Sequence, residues 1–117
     1  MQRSAEFTVH VTRRPGALVV APQGEIDVAT VERVGAACAA HERGTLVLDL
    51  REVGFLDSSG LRLVLECQRR ADECGHRFVV VRGPASVQRL FELVGLGHRL
   101  TLVDEPAEAL GDADVAP

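Results

Sequence analysis

Apolar and polar residues alternate from Phe7 to Thr12. Phe7, Val9 and Val11 fall on one side and Thr8, His10 and Thr12 on the other, the period of a half-buried strand. Arg14-Pro15-Gly16-Ala17 supplies turn chemistry, and Leu18 to Ala21 is a second strand, so the chain opens with a predicted hairpin. Gly24-Glu25-Ile26-Asp27 reads as a loop, with Asp27 placed to cap a helix that begins at Val28. In that helix Val31, Val34, Ala37 or Cys38, and Ala40 or His41 recur at helical spacing, and Gly44 ends the element.

Thr45 to Leu50 is nearly all apolar, as in a strand covered on both faces. Arg51 to Leu56 reads as a loop, and a turn at Asp57 opens a second helix that runs to Cys74. Its inner stripe is Leu63 or Val64, Cys67, Ala71 and Cys74, and Gly75 terminates it. Phe78 to Val81 is another buried strand. A third helix covers Ala85 to Val94, with Val87, Leu90, Phe91 and Val94 as its apolar face and Gly95-Leu96 as its stop. Leu100 to Val103 is a short strand. Pro106 to Leu110 is a fourth helix, capped by Asp104 or Glu105. Strands alternating with helices in this order predict an α/β domain, with a mostly parallel mixed sheet, an antiparallel edge hairpin and four helices. Residues 1–6 are read as a short extension, 7–110 as the domain and 111–117 as a flexible tail.

Composition narrows the function. The 117 residues suit one domain with one real core. Aromatics are 3%, so Leu, Val and Ala must fill that core. A net charge of −4 argues against nucleic acid, which needs a basic face. All 13 basic residues are Arg, a pattern read as genome composition rather than phosphate recognition. Cys38, Cys67 and Cys74 form no CxxC pair and sit in helical apolar contexts, so reduced core thiols are expected, with no disulfide or metal site. His10, His41, His76 and His98 are dispersed and read as surface residues. No signal peptide is expected, since no apolar stretch follows Met1-Gln2-Arg3-Ser4-Ala5-Glu6, and the apolar runs fall far short of the roughly 18 residues of a membrane span. A cytoplasmic protein with no membrane insertion is expected.

The chemistry concentrates at Asp57-Ser58-Ser59-Gly60, between a strand and a helix. Hydroxyls there are helix caps or modification sites, since a phosphate adds about −1.5 to −2 charges and three acceptors to an exposed turn. Asp57 positions a serine or satisfies turn N–H groups, and Asp49 anchors the loop after its strand. Gly60 lets the helix start pack closely.

The landmarks Gly24-Glu25-Ile26-Asp27, Leu48-Asp49-Leu50, Phe55-Leu56-Asp57-Ser58-Ser59-Gly60-Leu61, Val87-Gln88-Arg89-Leu90-Phe91 and Gly95-Leu96 occur in order. In them the chain resembles a STAS domain, specifically the stand-alone bacterial anti-sigma factor antagonists, over residues 7–110. The resemblance implies that the unmodified protein binds an anti-sigma factor that is also a serine kinase, and so frees a sigma factor. It also implies that phosphorylation at Ser58 abolishes binding and that a PP2C-type phosphatase resets the protein. By it, Glu25, Asp27, Asp57, Ser58, Ser59 and Gly60 are partner-binding residues, and Arg62, further along the helix, is placed with them. Arg62 departs from the small or apolar residue common there. It is read as a solvated helix charge, or as a cation for the phosphate or an acidic partner group. No catalytic residue, cofactor or metal is implied, and a monomer is expected.

Three other readings compete. One is a STAS adaptor, or the small subunit of a transport or signalling complex outside sigma control. Neighbouring transporter genes would support it, whereas an adjacent kinase and phosphatase would not. The second is a serine hydrolase. It lacks the first Gly of GxSxG, since Leu56-Asp57-Ser58-Ser59-Gly60 stands there. Turnover lost in Ser58→Ala would support it. Nucleotide binding has neither a P-loop nor GxGxxG behind it.

Overall fold

The computed structural model describes residues 6–115. Ten elements follow in order: β1 (Thr8–Arg14), β2 (Ala17–Ile26), α1 (Val31–Ala39), β3 (Thr45–Asp49), β4 (Val53–Leu56), α2 (Ser58–Cys74), β5 (Arg77–Val81), α3 (Ala85–Leu93), β6 (Leu102–Val103) and α4 (Pro106–Val115). The sheet has six strands in the order β1-β2-β3-β5-β6, with β4 attached to β2. Among the described residues only β1 and β2 pair antiparallel, joined by a two-residue turn in which Gly16 adopts φ +76°. The expected mixed sheet, edge hairpin and four helices are therefore present.

Alternation along the strands sorts side chains onto two faces. Leu18, Val20, Leu46, Leu48, Phe78 and Val80 join the main core, which also takes Val34 and Cys38 of α1, Val64, Cys67 and Ala71 of α2, and Val87 and Phe91 of α3. Ala17, Val19, Val47, Val79 and Val81 point the other way and are packed by Ala109 and Leu110 of α4. With few aromatics, Leu and Val do fill both layers.

β2 changes partner along its length. Ala17 to Val20 pair with Thr45 to Leu48 of β3, whereas Gly24, Glu25 and Ile26 pair with Val53, Phe55 and Leu56 of β4. Pro22, which has no N–H to give a ladder, lies in the interval between the two pairings. The register slips between Gly24 and Glu25, where Gly24 takes φ +121°. Two segments expected as loops, Gly24–Asp27 and Arg51–Leu56, thus consist largely of strand.

Other boundaries move for identifiable reasons. α1 begins at Val31 rather than Val28, because Asp27 and Thr30 close a separate turn first, leaving Val28 78% exposed. Gly44 does not stop α1, which ends at Ala39. It enters β3 at φ +82°, with its Cα so close to the hairpin that a Cβ would lie 2.3 Å from the Gly16 carbonyl oxygen. α3 stops at Leu93, and Val94 is exposed instead of lying on the apolar face. The Gly95-Leu96 stop is as expected: Leu96 N–H donates to Phe91 O and Gly95 N–H to Glu92 O. Asp104 accepts from Arg82 at 3.0 Å instead of capping α4. That helix continues through Val115, beyond the expected start of a tail at Gly111. Residues 1–5 of the expected extension and 116–117 of the tail lie outside the described residues.

Two expectations about reactive side chains need correction. Cys74 is exposed, because it sits in the last turn of α2, beyond the sheet that covers Cys38 and Cys67. His41 is buried, and its ring meets that of His76 edge-on with centroids 4.5 Å apart.

Candidate functional site

The parallel pairing of β2 with β4 brings two chain segments to the same end of the sheet. Ile26 lies opposite Leu56, and the next residue, Asp57, donates its N–H to Ile26 O at 3.1 Å. The segment Glu25–Thr30 and the turn Asp57–Gly60 are therefore adjacent at the carboxyl ends of their strands, the usual position of binding sites in open α/β sheets.

In the first segment, Asp27 Oδ1 accepts from Ala29 N–H at 2.9 Å and Thr30 N–H at 3.2 Å. Thr30 Oγ1 donates to Glu25 O at 2.7 Å and accepts from Asp27 N–H at 2.9 Å. Asp27 thus acts as a capping side chain one turn before the helix proper. Thr30, which sequence reasoning passed over, ties Glu25 to Asp27. The spacing Asp-x-x-Thr was the available signal, since both side chains favour local bonds to the backbone.

In the second segment, Asp57 is the N-cap of α2. Its Oδ1 accepts from Ser59 N–H at 2.8 Å, Ser59 Oγ at 2.5 Å and Gly60 N–H at 3.4 Å. These bonds, the Ser59 hydroxyl first, hold the Asp57 carboxyl below its ordinary pKa of 3.8. Neither serine caps the helix. Ser59 is half-buried with its hydroxyl bound to Asp57, whereas Ser58 is exposed and its hydroxyl has no partner among the described residues. Asp49 is also an anchor: it accepts from the Arg51 backbone N–H at 3.1 Å and pairs with the Arg51 guanidinium.

Gly60 is buried against the strand ends. A Cβ there would lie 2.7 Å from Leu56 Cγ and 3.1 Å from Ile26 Cγ2. It supplies closeness, not contact area. Arg62 is exposed and lines two shallow grooves. One, of ≈ 290 Å³, is formed with Ser58, Leu61, Leu65, Val94 and Leu96. The other, of ≈ 330 Å³, is formed with Val31, Ser59, Leu63 and Glu66. The two serines consequently open onto different sides of α2.

The predicted residues Glu25, Asp27, Asp57, Ser58, Ser59 and Arg62 fall on or at the edge of one surface, with Gly60 beneath it. Sequence reasoning missed that surface's apolar component. Val28, Phe55 and Val94 are 78%, 48% and 49% exposed, and they belong respectively to the segment after β2, to β4 and to the end of α3. Among the described residues there is no cluster of three or more His, Cys, Asp or Glu able to hold a metal ion, and no helix is long and apolar enough to cross a membrane.

Comparison with known proteins matches residues 9–104 to the family described as Mlab, STAS domain. A protein of Paenibacillus polymyxa named anti-sigma F factor antagonist is 27% identical over 111 residues, covering 92% of this chain and 95% of its own. One of the same name from Lysinibacillus sphaericus is 32% identical over 78 residues, covering 63% and 67%. The crystal structure of an anti-sigma factor antagonist from Mycobacterium paratuberculosis superposes with a TM-score of 0.78. It is 33% identical, with 91% of this chain and 92% of that one covered.

Proposed function

This chain belongs to the STAS domain family, and on that premise we propose that it is an anti-sigma factor antagonist switched by phosphorylation of Ser58. The unmodified protein binds an anti-sigma factor with serine kinase activity and so releases a sigma factor. The kinase then transfers the γ-phosphoryl group of ATP to Ser58 Oγ. The bond to the β-phosphate oxygen breaks, ADP leaves, and the hydroxyl proton passes to a base of the kinase. A PP2C-type phosphatase restores the serine with water, releasing inorganic phosphate. The antagonist is the substrate of both reactions and catalyses neither.

The observation that carries this reading is the contrast between the two hydroxyls. Ser59 Oγ is engaged by Asp57, while Ser58, at the first position of α2, is exposed and its hydroxyl has no partner among the described residues. A phosphate on Ser58 lies at the positive end of the helix dipole, so the fold tolerates it. A partner surface fitted to a neutral hydroxyl does not: it meets steric clash, desolvation and, at any acidic group, like-charge repulsion. Glu25, Asp27, Asp57 and Arg62 form the polar part of the proposed contact surface, with Val28, Phe55 and Val94 its apolar part.

Incubation with the cognate kinase and ATP, followed by mass mapping, tests the assignment. Phosphate is expected on Ser58 and absent in Ser58→Ala, and phosphate confined to Ser59 would overturn it. A second reading is a STAS adaptor, or the small subunit of a transport or signalling complex, outside sigma control. Co-purification with a multi-subunit assembly, without phosphate on Ser58 in cells, would favour it.

A further inference from the structure

We infer, resting on the assignment of Ser58 as acceptor, that Arg62 is the intramolecular counter-ion of the Ser58 phosphate. Modification then withdraws from the partner the one basic residue common to both grooves. Ser58 and Arg62 are four residues apart in α2. Side chains at that spacing share a helix face, with Cβ atoms about 6 Å apart, which an arginine side chain readily spans. Both residues are exposed and both line the ≈ 290 Å³ groove.

Arg62 is also unclaimed. It has no hydrogen bond or ion pair among the described residues. The carboxylate best placed to compete is Glu66, four residues further along α2 and beside Arg62 in the second groove. Glu66 instead accepts from Arg69 Nε at 3.1 Å and from Arg69 Nη2, while Arg69 Nη1 also holds Glu73. Asp57 Oδ1 is directed to Ser59 and Gly60. The groove holding Ser58 is otherwise lined by apolar side chains, Leu61, Leu65, Val94 and Leu96. A phosphoryl group there finds one cationic fork, and the planar guanidinium matches two of its oxygens.

The modification therefore acts twice at one place. It adds negative charge where a neutral hydroxyl stood, and it draws the neighbouring guanidinium onto that charge. An acidic partner group that Arg62 met before modification loses its cation as the phosphate arrives.

The test installs phosphoserine at position 58 of the full chain during translation, so no kinase is needed, and titrates it by phosphorus NMR. In low salt the second ionisation midpoint of the phosphate is expected about half a pH unit higher in Arg62→Gln than in the protein with Arg62. Arg62→Lys should lie closer to the latter, and the difference should close at about 1 M salt, where the screening length is roughly 3 Å. Equal midpoints in all three proteins, or a difference unmoved by salt, would overturn the counter-ion role while leaving the phospho-switch intact. Failure of the kinase to label Ser58 would overturn the switch without touching this titration.

Discussion

Gly60→Ala adds a single methyl group at the point where α2 touches the strand ends. That methyl carbon would stand 2.7 Å from Leu56 Cγ, 3.1 Å from Ile26 Cγ2 and 3.2 Å from Leu56 Cδ1. Comfortable carbon contacts lie at about 3.5–4.0 Å. Leu56 is 3% and Ile26 1% exposed, so neither can swing into solvent. Leu56 Cγ is a branch point rather than a flexible tip, so the strand end or the helix start must shift. Overpacking of this kind costs about 1–3 kcal/mol. Replacing a helical glycine by alanine returns about 0.5–1 kcal/mol. The net expectation is a loss on the order of 1 kcal/mol, which lowers the melting temperature by roughly 4 °C in a domain of this size. Urea unfolding should show a lower midpoint at unchanged slope, with Gly60→Val further down the same trend. Because the shift falls on the first turn of α2, kinase labelling of Ser58 should slow in parallel. A Gly60→Ala midpoint equal to or above that of the unaltered protein would refute the close-approach argument.

Two further outcomes are expected. Burial first, and then the neighbouring His76, lowers the pKa of His41 below its ordinary 6.5. The unfolded chain therefore takes up this proton first as pH falls, so the stability contributed by neutral His41 is complete above about pH 6.5 and is lost below it. Urea midpoints measured from pH 7.5 to 5 should decline, and His41→Gln should flatten part of that decline; an unchanged slope would refute it. Native-state alkylation should modify Cys74 alone, with Cys38 and Cys67 reacting only after denaturation; mass analysis of the adducts checks this, and early labelling of Cys67 would contradict its place in the core.

The long periodic segments were legible because their burial is one-sided or complete. Thr45–Asp49 and Phe78–Val81 are buried throughout, and Val64, Cys67 and Ala71 keep one helical stripe. β4 was illegible for a physical reason. In Val53-Gly54-Phe55-Leu56 only the first and last residues are buried, so the period of two is absent, and Gly54 argues for a loop. The end of β2 was hidden by Gly24, whose positive φ belongs to a bulge inside the strand. Asp27 had the right chemistry but the wrong helix boundary, since its carboxylate takes the Ala29 and Thr30 N–H groups in a separate turn that Thr30 Oγ1 closes by accepting from Asp27 N–H. At the site, sequence alone separated neither Ser58 from Ser59 nor cap from platform. The family resemblance ranked them; the structure adds that Asp57 engages the second hydroxyl while the first residue is exposed.

The forked pairing of β2 divides labour within one strand. Its first half is held between β1 and β3 and lies under both hydrophobic layers, whereas its second half carries β4 and, through Leu56, the start of α2. Surface positions on that branch, such as Val28, Phe55 and Arg62, can change without disturbing the β2-β3-β5 centre. A duplicated copy of such a chain could acquire a new partner by drift on the branch alone, and an engineer could graft a different recognition surface there while leaving the rest of the domain untouched.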